Sequence, residues 1–249
     1  MEKIDVLILA NNEEGVIKDA IESVKGWAEN IVVIDAKSTD KTVEIAKKYG
    51  AQVFEHDFKD FSDQRNFAFT KAESPWVFYL DADERATEEF LDELRIKIES
   101  LSDDEVGGFI VKRKTFYFGH DWGFVDEVAR IFRVSKFGKW TGVVHETPVV
   151  SGQLIKIDSP ILHFTHRNLE QMVEKTNEWS NFEAELRLKA HHPKMRSWRF
   201  FRVMLSAFIK SYVKDKGYKN GTYGLIESIY QSFSMFITYA KLWELQMKK

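Results

Sequence analysis

The sequence predicts an α/β protein: a mostly parallel sheet with helices on both faces, followed by a C-terminal helical extension. Two observations carry that reading. Four times in the first hundred residues, an apolar run of strand length gives way to a stretch whose apolar positions recur at helical spacing. Four such units joined by short connections make a parallel sheet covered by helices. The second observation is bulk: 44% of the 249 residues are apolar, with no internal repeat and no low-complexity tract, which is enough to bury a sizeable core.

Taken in order, "IDVLILA" at 4–10 is the first strand. Residues 13–27 then place Val16, Ile17, Ala20, Ile21 and Val24 on one helical face, with Asn12 as the expected N-cap and two acids in the first turn. The unit recurs as "NIVVIDA" with "STDKTVEIAKKYG", which ends on Gly50, and as "AQVFEHD" with a helix over 62–71. It recurs again as "WVFYLDADE" with a helix capped by Thr87 that turns Phe90, Leu91, Leu94 and Ile98 inward. Beyond residue 102 the strands "GGFIVKRKTFYF", "VARIFRV", "WTGVVHETPVV", "QLIKI" and "ILHFTH" extend and re-edge the sheet. Three helices finish the chain: one capped by Asn168, whose capping box closes with Gln171, and two near 194–216 and 222–247. No flexible joint is visible, so the division is by character: a domain over 1–190, with halves 1–101 and 102–190, and the extension over 191–249.

The chain has no cysteine, which removes disulfides, thiolate zinc sites and cysteine nucleophiles together and leaves oxygen and imidazole as metal donors. Its opening "MEKIDVLILANNEEG" reads as a strand and not as a signal peptide, so a cytoplasmic protein is expected. The net charge of -3 conceals a division. Residues 191–249 hold 11 Lys and Arg against 3 Asp and Glu, together with 12 of the 35 aromatic residues, whereas 1–190 are acidic. Basic and aromatic surface suits membranes and nucleic acids alike; with no recognition motif and an acidic body, an anionic membrane surface is the expected partner, and nucleic acid is not. Within 195–212, Trp198, Phe201, Leu205, Phe208, Ile209 and Tyr212 share one helical face, and Arg199, Arg202 and Lys210 fall on the other. The charge-free run 228–240 falls short of the ~20 residues a membrane span needs, so the tail packs on the body, lies at an interface, or does both.

In open α/β sheets ligands bind outside the carboxyl ends of the strands, where Asp35 and Asp81 both stand. Asp81, Asp83 and Glu84 crowd three like charges, which repel unless something positive lies among them. Asp81 and Asp83, two apart in an extended segment, point the same way and can grip one hard cation carrying a diphosphate. The plainer alternative is that Asp83 and Glu84 favour the N-terminus of the helix that follows.

The surroundings strengthen the first reading. "ANNEEG", "VVIDAKSTDKTVEIAKKYGA", "SDQRNFAFTKA" and "LDADER" together resemble family 2 glycosyltransferases of the GT-A (Rossmann-like) fold. The match continues through "VDEVARIFR", "GVVHETP", "ILHFTHRNLEQM" and "YAKLWE", nearly the whole chain. Within that family the sequence looks most like bacterial lipopolysaccharide-core β-glucosyltransferases of the WaaE and LgtF kind. The resemblance implies a nucleotide-sugar donor, UDP-glucose above all, held among Asn12, Glu13, Asp35, Ser38 and Arg65, with Asp81 near the ribose and diphosphate. It implies Mg2+ or Mn2+ on Asp83, with His145 as a metal or diphosphate contact, and inversion at the sugar with Asp126 or its rival Glu146 as base. The implied acceptor is a glycolipid or lipopolysaccharide-core saccharide, met by a peripheral enzyme on the inner face of the cytoplasmic membrane.

Trp122, Trp140 and the "KTFYFGHDWGF" loop offer aromatic faces of the kind on which sugar rings stack. Two departures from the family pattern stand out: Lys37 replaces a glycine in "DAKS", and Ala10 replaces a common threonine. Plain readings exist for several residues as well: Ser38 and Thr39 as helix caps, Arg65 on a solvated helix face, and His145 as a strand histidine satisfied by hydrogen bonds. His163 and His166, three apart in a strand, fall on opposite faces. Two other functions compete. An aspartyl phosphatase would use D-x-D-x-T, but Arg85 stands at the threonine position. The other is a catalytically inactive carbohydrate- or membrane-binding protein on the same scaffold.

Overall fold

The computed structural model describes residues 2–101, 105–142 and 146–248. Strands β1 (Ile4–Ala10), β2 (Asn30–Asp35), β3 (Gln52–Glu55) and β4 (Trp76–Asp81) run parallel in the order β3-β2-β1-β4. The helices between them are α1 (Ile17–Val24), α2 (Thr42–Lys48) and α3 (Phe61–Phe69), and α4 (Glu88–Glu99) follows β4 after the two-residue strand β5 (Glu84–Arg85). The register aligns Ala10 with Asp35 on one side of β1 and Leu9 with Asp81 on the other. The two acids therefore flank the carboxyl end of β1 one residue apart in register, on strands two spacings, about 10 Å, apart.

The alternation within β1 shows how both faces of the sheet are buried. Ile4, Val6 and Ile8 join the core that contains Ile17, Ile21 and Val24 of α1 and Phe90 and Leu94 of α4. Leu7 points to the opposite core, with Ala68 of α3, Tyr79, Phe132 and Trp140. Near-continuous apolar strands of this kind are what a sheet covered on both sides requires.

Strands β6 (Val106–Tyr117), β7 (His120–Arg133) and β10 (Gln153–Thr165) continue the eight-stranded sheet, with β7 antiparallel to β4, and β5 antiparallel to β10 at the outer edge. Strands β8 (Phe137–Thr141) and β9 (Thr147–Val150) form a separate ribbon. The segments "QLIKI" and "ILHFTH", read as two strands, are one strand running through Pro160.

The chain divides into two compact units, residues 1–115 with 125–163, and residues 116–124 with 164–249. The second unit is helical: α5 (Leu169–Lys189) and α6 (Ser197–Ile209) both pack against α7 (Gly221–Met247). The boundary expected at 190/191 falls just beyond the end of α5. As the sequence predicts, Asn168 caps α5 by accepting the Gln171 N–H at 2.9 Å. Along α5 the buried positions Met172, Thr176, Ser180 and Ala184 recur every fourth residue, and the Tyr230 hydroxyl on α7 donates to the Met172 carbonyl at 2.6 Å. Helix α6 buries none of its residues fully; Trp198, Phe201 and Leu205 stand 53%, 75% and 60% exposed. Among the described residues no helix is long and apolar enough to cross a membrane.

Candidate active site

The positive charge among the crowded acids comes from three arginines. Arg65 on α3 is buried and donates through Nη2 to Asp81 at 2.9 Å and through Nε to Glu146 at 2.9 Å. Arg130 on β7 donates through Nη2 to Asp81 at 2.5 Å and to Glu84 at 3.1 Å. Arg113 on β6 donates to Glu84 at 3.2 Å and closes on Asp126 with Nε at 3.0 Å and Nη2 at 2.6 Å. The result is one alternating chain, Glu146–Arg65–Asp81–Arg130–Glu84–Arg113–Asp126, in which four carboxylates and three guanidiniums join the two candidate bases end to end.

Such a chain forms because a buried charge is tolerable only when it is paired and hydrogen-bonded. Burial opposes ionisation of Asp81, yet Arg130, Arg65 and Arg113 outweigh it and hold the carboxyl far below the usual carboxylate range. Burial opposes the charge of Arg65 as well, and Asp81 and Glu146 overcome it, raising its proton affinity above that of an ordinary arginine. Arg113 behaves likewise: burial is outweighed chiefly by the hydrogen bonds to Asp126 and by Glu84. Arg65 also lies 5.1 Å from the Trp140 ring centroid and 5.6 Å from that of Tyr79, so aromatic faces back its cation.

The plain reading of Arg65 as a solvated residue therefore gives way to a buried, doubly paired one. Trp140, expected against an acceptor, is 4% exposed and packs edge-on against Tyr79 and Phe132. It walls the arginine and turns no open face to solvent. Trp122 is also buried and belongs to the second unit, where its ring lies 4.8 Å from that of Tyr117.

The expected nucleotide loops are laced to one another. Asp35 at the end of β2 is buried and accepts from Ser38 twice, from the backbone N–H at 2.9 Å and from the hydroxyl at 2.5 Å. The Ser38 hydroxyl in turn accepts the Asn12 N–H at 2.8 Å, and Asn12 Oδ1 accepts the Thr39 N–H at 2.8 Å. The Glu13 N–H donates to the Thr42 hydroxyl at 2.8 Å. Asn12 thus does not cap α1, which starts only at Ile17 with no side-chain cap; its side chain is committed to the neighbouring loop, and its own backbone is left-handed at φ 53. Ser38 and Thr39 do not cap α2 either, since that place is held by Lys41 with no side-chain cap. Lys37 takes φ 61, the left-handed conformation for which glycine is the usual residue, and its ammonium pairs with Asp57.

Asp83 lies 3.5 Å from Nε2 of His163, a proximity set by the pairing of His163 with Glu84 across β10 and β5. His166 serves elsewhere, with Nδ1 2.8 Å from Glu227. His145 lies outside the described residues, and among those described no group of three or more His, Asp or Glu is assembled for a metal ion. The carboxylate of Asp83 and the imidazole of His163 are nonetheless donors of the kind a divalent ion takes, and Mg2+ habitually completes its shell with phosphate oxygens and water.

Sequence reasoning missed Arg113 and Arg130. The signal for Arg130 was present: an arginine with apolar neighbours on both sides, as in "VARIF" of a strand, is costly to bury unless acids await it. Arg113 sits in "VKRKT", where neighbouring lysines give a buried arginine no distinguishing mark.

Comparison with known proteins identifies the family. The chain is 28% identical to an uncharacterized glycosyltransferase of Rickettsia prowazekii, over 100% of this chain and 89% of that one. It is 26% identical to the lipopolysaccharide core biosynthesis glycosyltransferase LpsC of Rhizobium meliloti, over 97% of this chain and 92% of that one. A glucosyl-3-phosphoglycerate synthase from Mycobacterium tuberculosis, solved with Mn2+ and UDP, overlays with a TM-score of 0.37 at 23% identity, covering 47% of this chain and 44% of that chain, too little to bear on ligands here. The family model described as "Glycosyl transferase family 2" matches residues 5–145, more than half of the chain and including the strand ends that carry Asp35 and Asp81, and this protein therefore belongs to glycosyl transferase family 2.

Proposed function

We propose that the protein is an inverting, metal-dependent transferase that moves a hexose, glucose first among the candidates, from a UDP-sugar to a saccharide acceptor of the lipopolysaccharide core. The observation that carries this reading is the charge chain at the carboxyl end of β4. Two of its guanidiniums keep buried nitrogens, Arg65 Nη1 and Arg130 Nε, with no acceptor among the described residues, so cationic donors stand beside the strand end where a diphosphate belongs. The likeness to LpsC supports the acceptor class. An aspartyl phosphatase is set aside by the family.

In this mechanism the acceptor hydroxyl attacks the anomeric carbon from the side opposite the diphosphate; the new C–O bond forms as the bond to the diphosphate breaks, and the hydroxyl proton passes to the base. Asp126 is the proposed base, with both oxygens oriented by Arg113 and lone pairs left to accept a hydroxyl. Glu146, gripped by Arg65, is the rival. Asp83 and His163 are the side chains that would hold Mg2+ or Mn2+ with the diphosphate, and the ion supplies neutralisation of the charge left on the departing group. Asp35 fixes the loop of Ser38, and with Asn12 and Glu13 forms the side of the crevice proposed for the nucleoside.

The acceptor is proposed to reside in an anionic membrane, which the enzyme meets from the cytoplasmic side as a peripheral protein. The exposed apolar ridge Trp198, Phe201, Leu205 and Ile209 on α6 favours this, as does Arg199 beside it. The deciding experiment is acceptor-free hydrolysis of a panel of UDP- and GDP-sugars with Mg2+ or Mn2+. Slow, metal-dependent release of UDP from UDP-glucose is expected. Release from GDP-sugars alone, or from none, contradicts the reading.

A further inference from the structure

Glu84 stands on β5, wholly buried, and its carboxylate is used on both sides. Oε2 accepts the Asp81 N–H at 3.0 Å, which closes the turn of Ala82 and Asp83 back onto the end of β4. Arg85 braces the same turn by donating through Nη1 to the Ala82 carbonyl at 3.0 Å. Oε1 accepts from Arg130 at 3.1 Å and from Arg113 at 3.2 Å, of which the first also holds Asp81 and the second Asp126. The backbone of Glu84 pairs with His163 of β10, which brings that ring to Asp83. Helix α4 begins only at Glu88, capped by Thr87, so favouring a helix N-terminus is not what Glu84 does.

This role needs both the charge and the length of the side chain. A carboxylate accepts at both oxygens, and the Asp81 N–H and the two guanidiniums all donate to it. An amide has one accepting oxygen and would turn its own N–H groups toward the Asp81 N–H or toward the arginines, donor against donor. An aspartate keeps the charge and falls one methylene short. We propose that Glu84 is a positioning residue of the active site: its carboxylate sets the turn that presents Asp83 and, through Arg113, the orientation of Asp126, so that the donor side and the base share one frame. The proposal rests on the transferase reading, which gives Asp83 and Asp126 their roles.

Two measurements follow the two branches: calorimetric titration of UDP with Mn2+, and the rate of UDP release from UDP-glucose, in which water takes the acceptor's place. Glu84→Gln is expected to lose about tenfold in Mn2+-dependent UDP affinity and about 10²-fold in release rate at saturating UDP-glucose. Arg113→Lys should lower the rate alone. The double variant should release UDP no more slowly than the slower single variant, because both changes reach Asp126 by one route, whereas independent losses multiply. In Glu84→Gln each arginine keeps one acid, Arg130 with Asp81 and Arg113 with Asp126, so the fold is expected to survive. Should it melt at the assay temperature, Glu84→Asp carries the same expectations. Unchanged affinity and rate in the Glu84 variant, multiplied losses in the double variant, or failure of both Glu84 variants to fold overturns the proposal. In a wild type that binds and releases UDP, these outcomes defeat the proposal alone; a wild type that fails both assays defeats the transferase reading itself, and the proposal with it.

Discussion

Arg113 holds Asp126 by two parallel hydrogen bonds, Nε to Oδ1 at 3.0 Å and Nη2 to Oδ2 at 2.6 Å, and reaches Glu84 with its remaining nitrogen at 3.2 Å. A lysine keeps the charge but not the fork. Arg113→Lys is therefore expected to lower kcat for transfer by about 10- to 10²-fold through loss of orientation, with UDP affinity nearly unchanged. A variant that loses donor affinity and kcat equally contradicts this positioning role.

For the base itself, Asp126→Asn should leave UDP binding intact while transfer falls by ~10² to 10⁴. Glu146→Gln is the control. If Glu146→Gln shows that pattern and Asp126→Asn retains activity, the proton goes to the other end of the chain.

Removing Arg65 takes a buried partner from two acids at once. Arg65→Ala should destabilise the fold by about 3–5 kcal/mol in denaturant titration near neutral pH, because Asp81 and Glu146 lose their shared buried partner. The pH dependence has a definite sign. Asp81 has a depressed folded value, so its contribution is complete above the unfolded carboxylate pKa of about 3.9 and is lost as pH falls toward the folded one. The gap between wild type and variant should narrow as pH drops below about 4. A gap that stays constant down to about pH 3 excludes Asp81 as its source.

The sheet was legible because buried strands and amphipathic helices differ in period, and β1 to α4 lie close to where the pattern puts them. The strand ends were legible for the same reason: β2 and β4 stop on Asp35 and Asp81. Which cations meet Asp81 was not legible: the apolar setting of Arg130 marks it as needing acids, but that they are Asp81 and Glu84 follows only from the antiparallel pairing of β7 with β4, strands far apart in sequence. Asn12 misled because an asparagine before a helix serves equally as N-cap or as acceptor for another loop, and sequence does not say which N–H lies nearer.

In the helical tail, Arg199 and Arg202 both lie over the Trp198 ring, at 4.9 and 5.5 Å, and Arg202 and Lys210 also line a cavity of the helical unit, so these cations have partners within the tail itself. Membrane contact is therefore best tested on the apolar ridge. Sedimentation with phosphatidylglycerol vesicles should weaken with salt but persist, and Trp198→Ser, Phe201→Ser and Leu205→Ser combined should abolish the persistent part. Wild type that ignores such vesicles, or a triple variant that binds them as before, makes the ridge an ordinary exposed surface.

The central claim is that the acidic end of β4 holds a UDP-sugar together with a divalent ion through Asp83. Calorimetric titration of UDP into wild type and Asp83→Asn, with Mn2+ and with chelator, tests it most directly. Tight binding by wild type only with Mn2+, and weak, metal-independent binding by the variant, is the predicted result, since an amide brings no negative charge to the cation. Equal UDP affinity with and without Mn2+ in wild type, or metal-dependent binding preserved in Asp83→Asn, contradicts it.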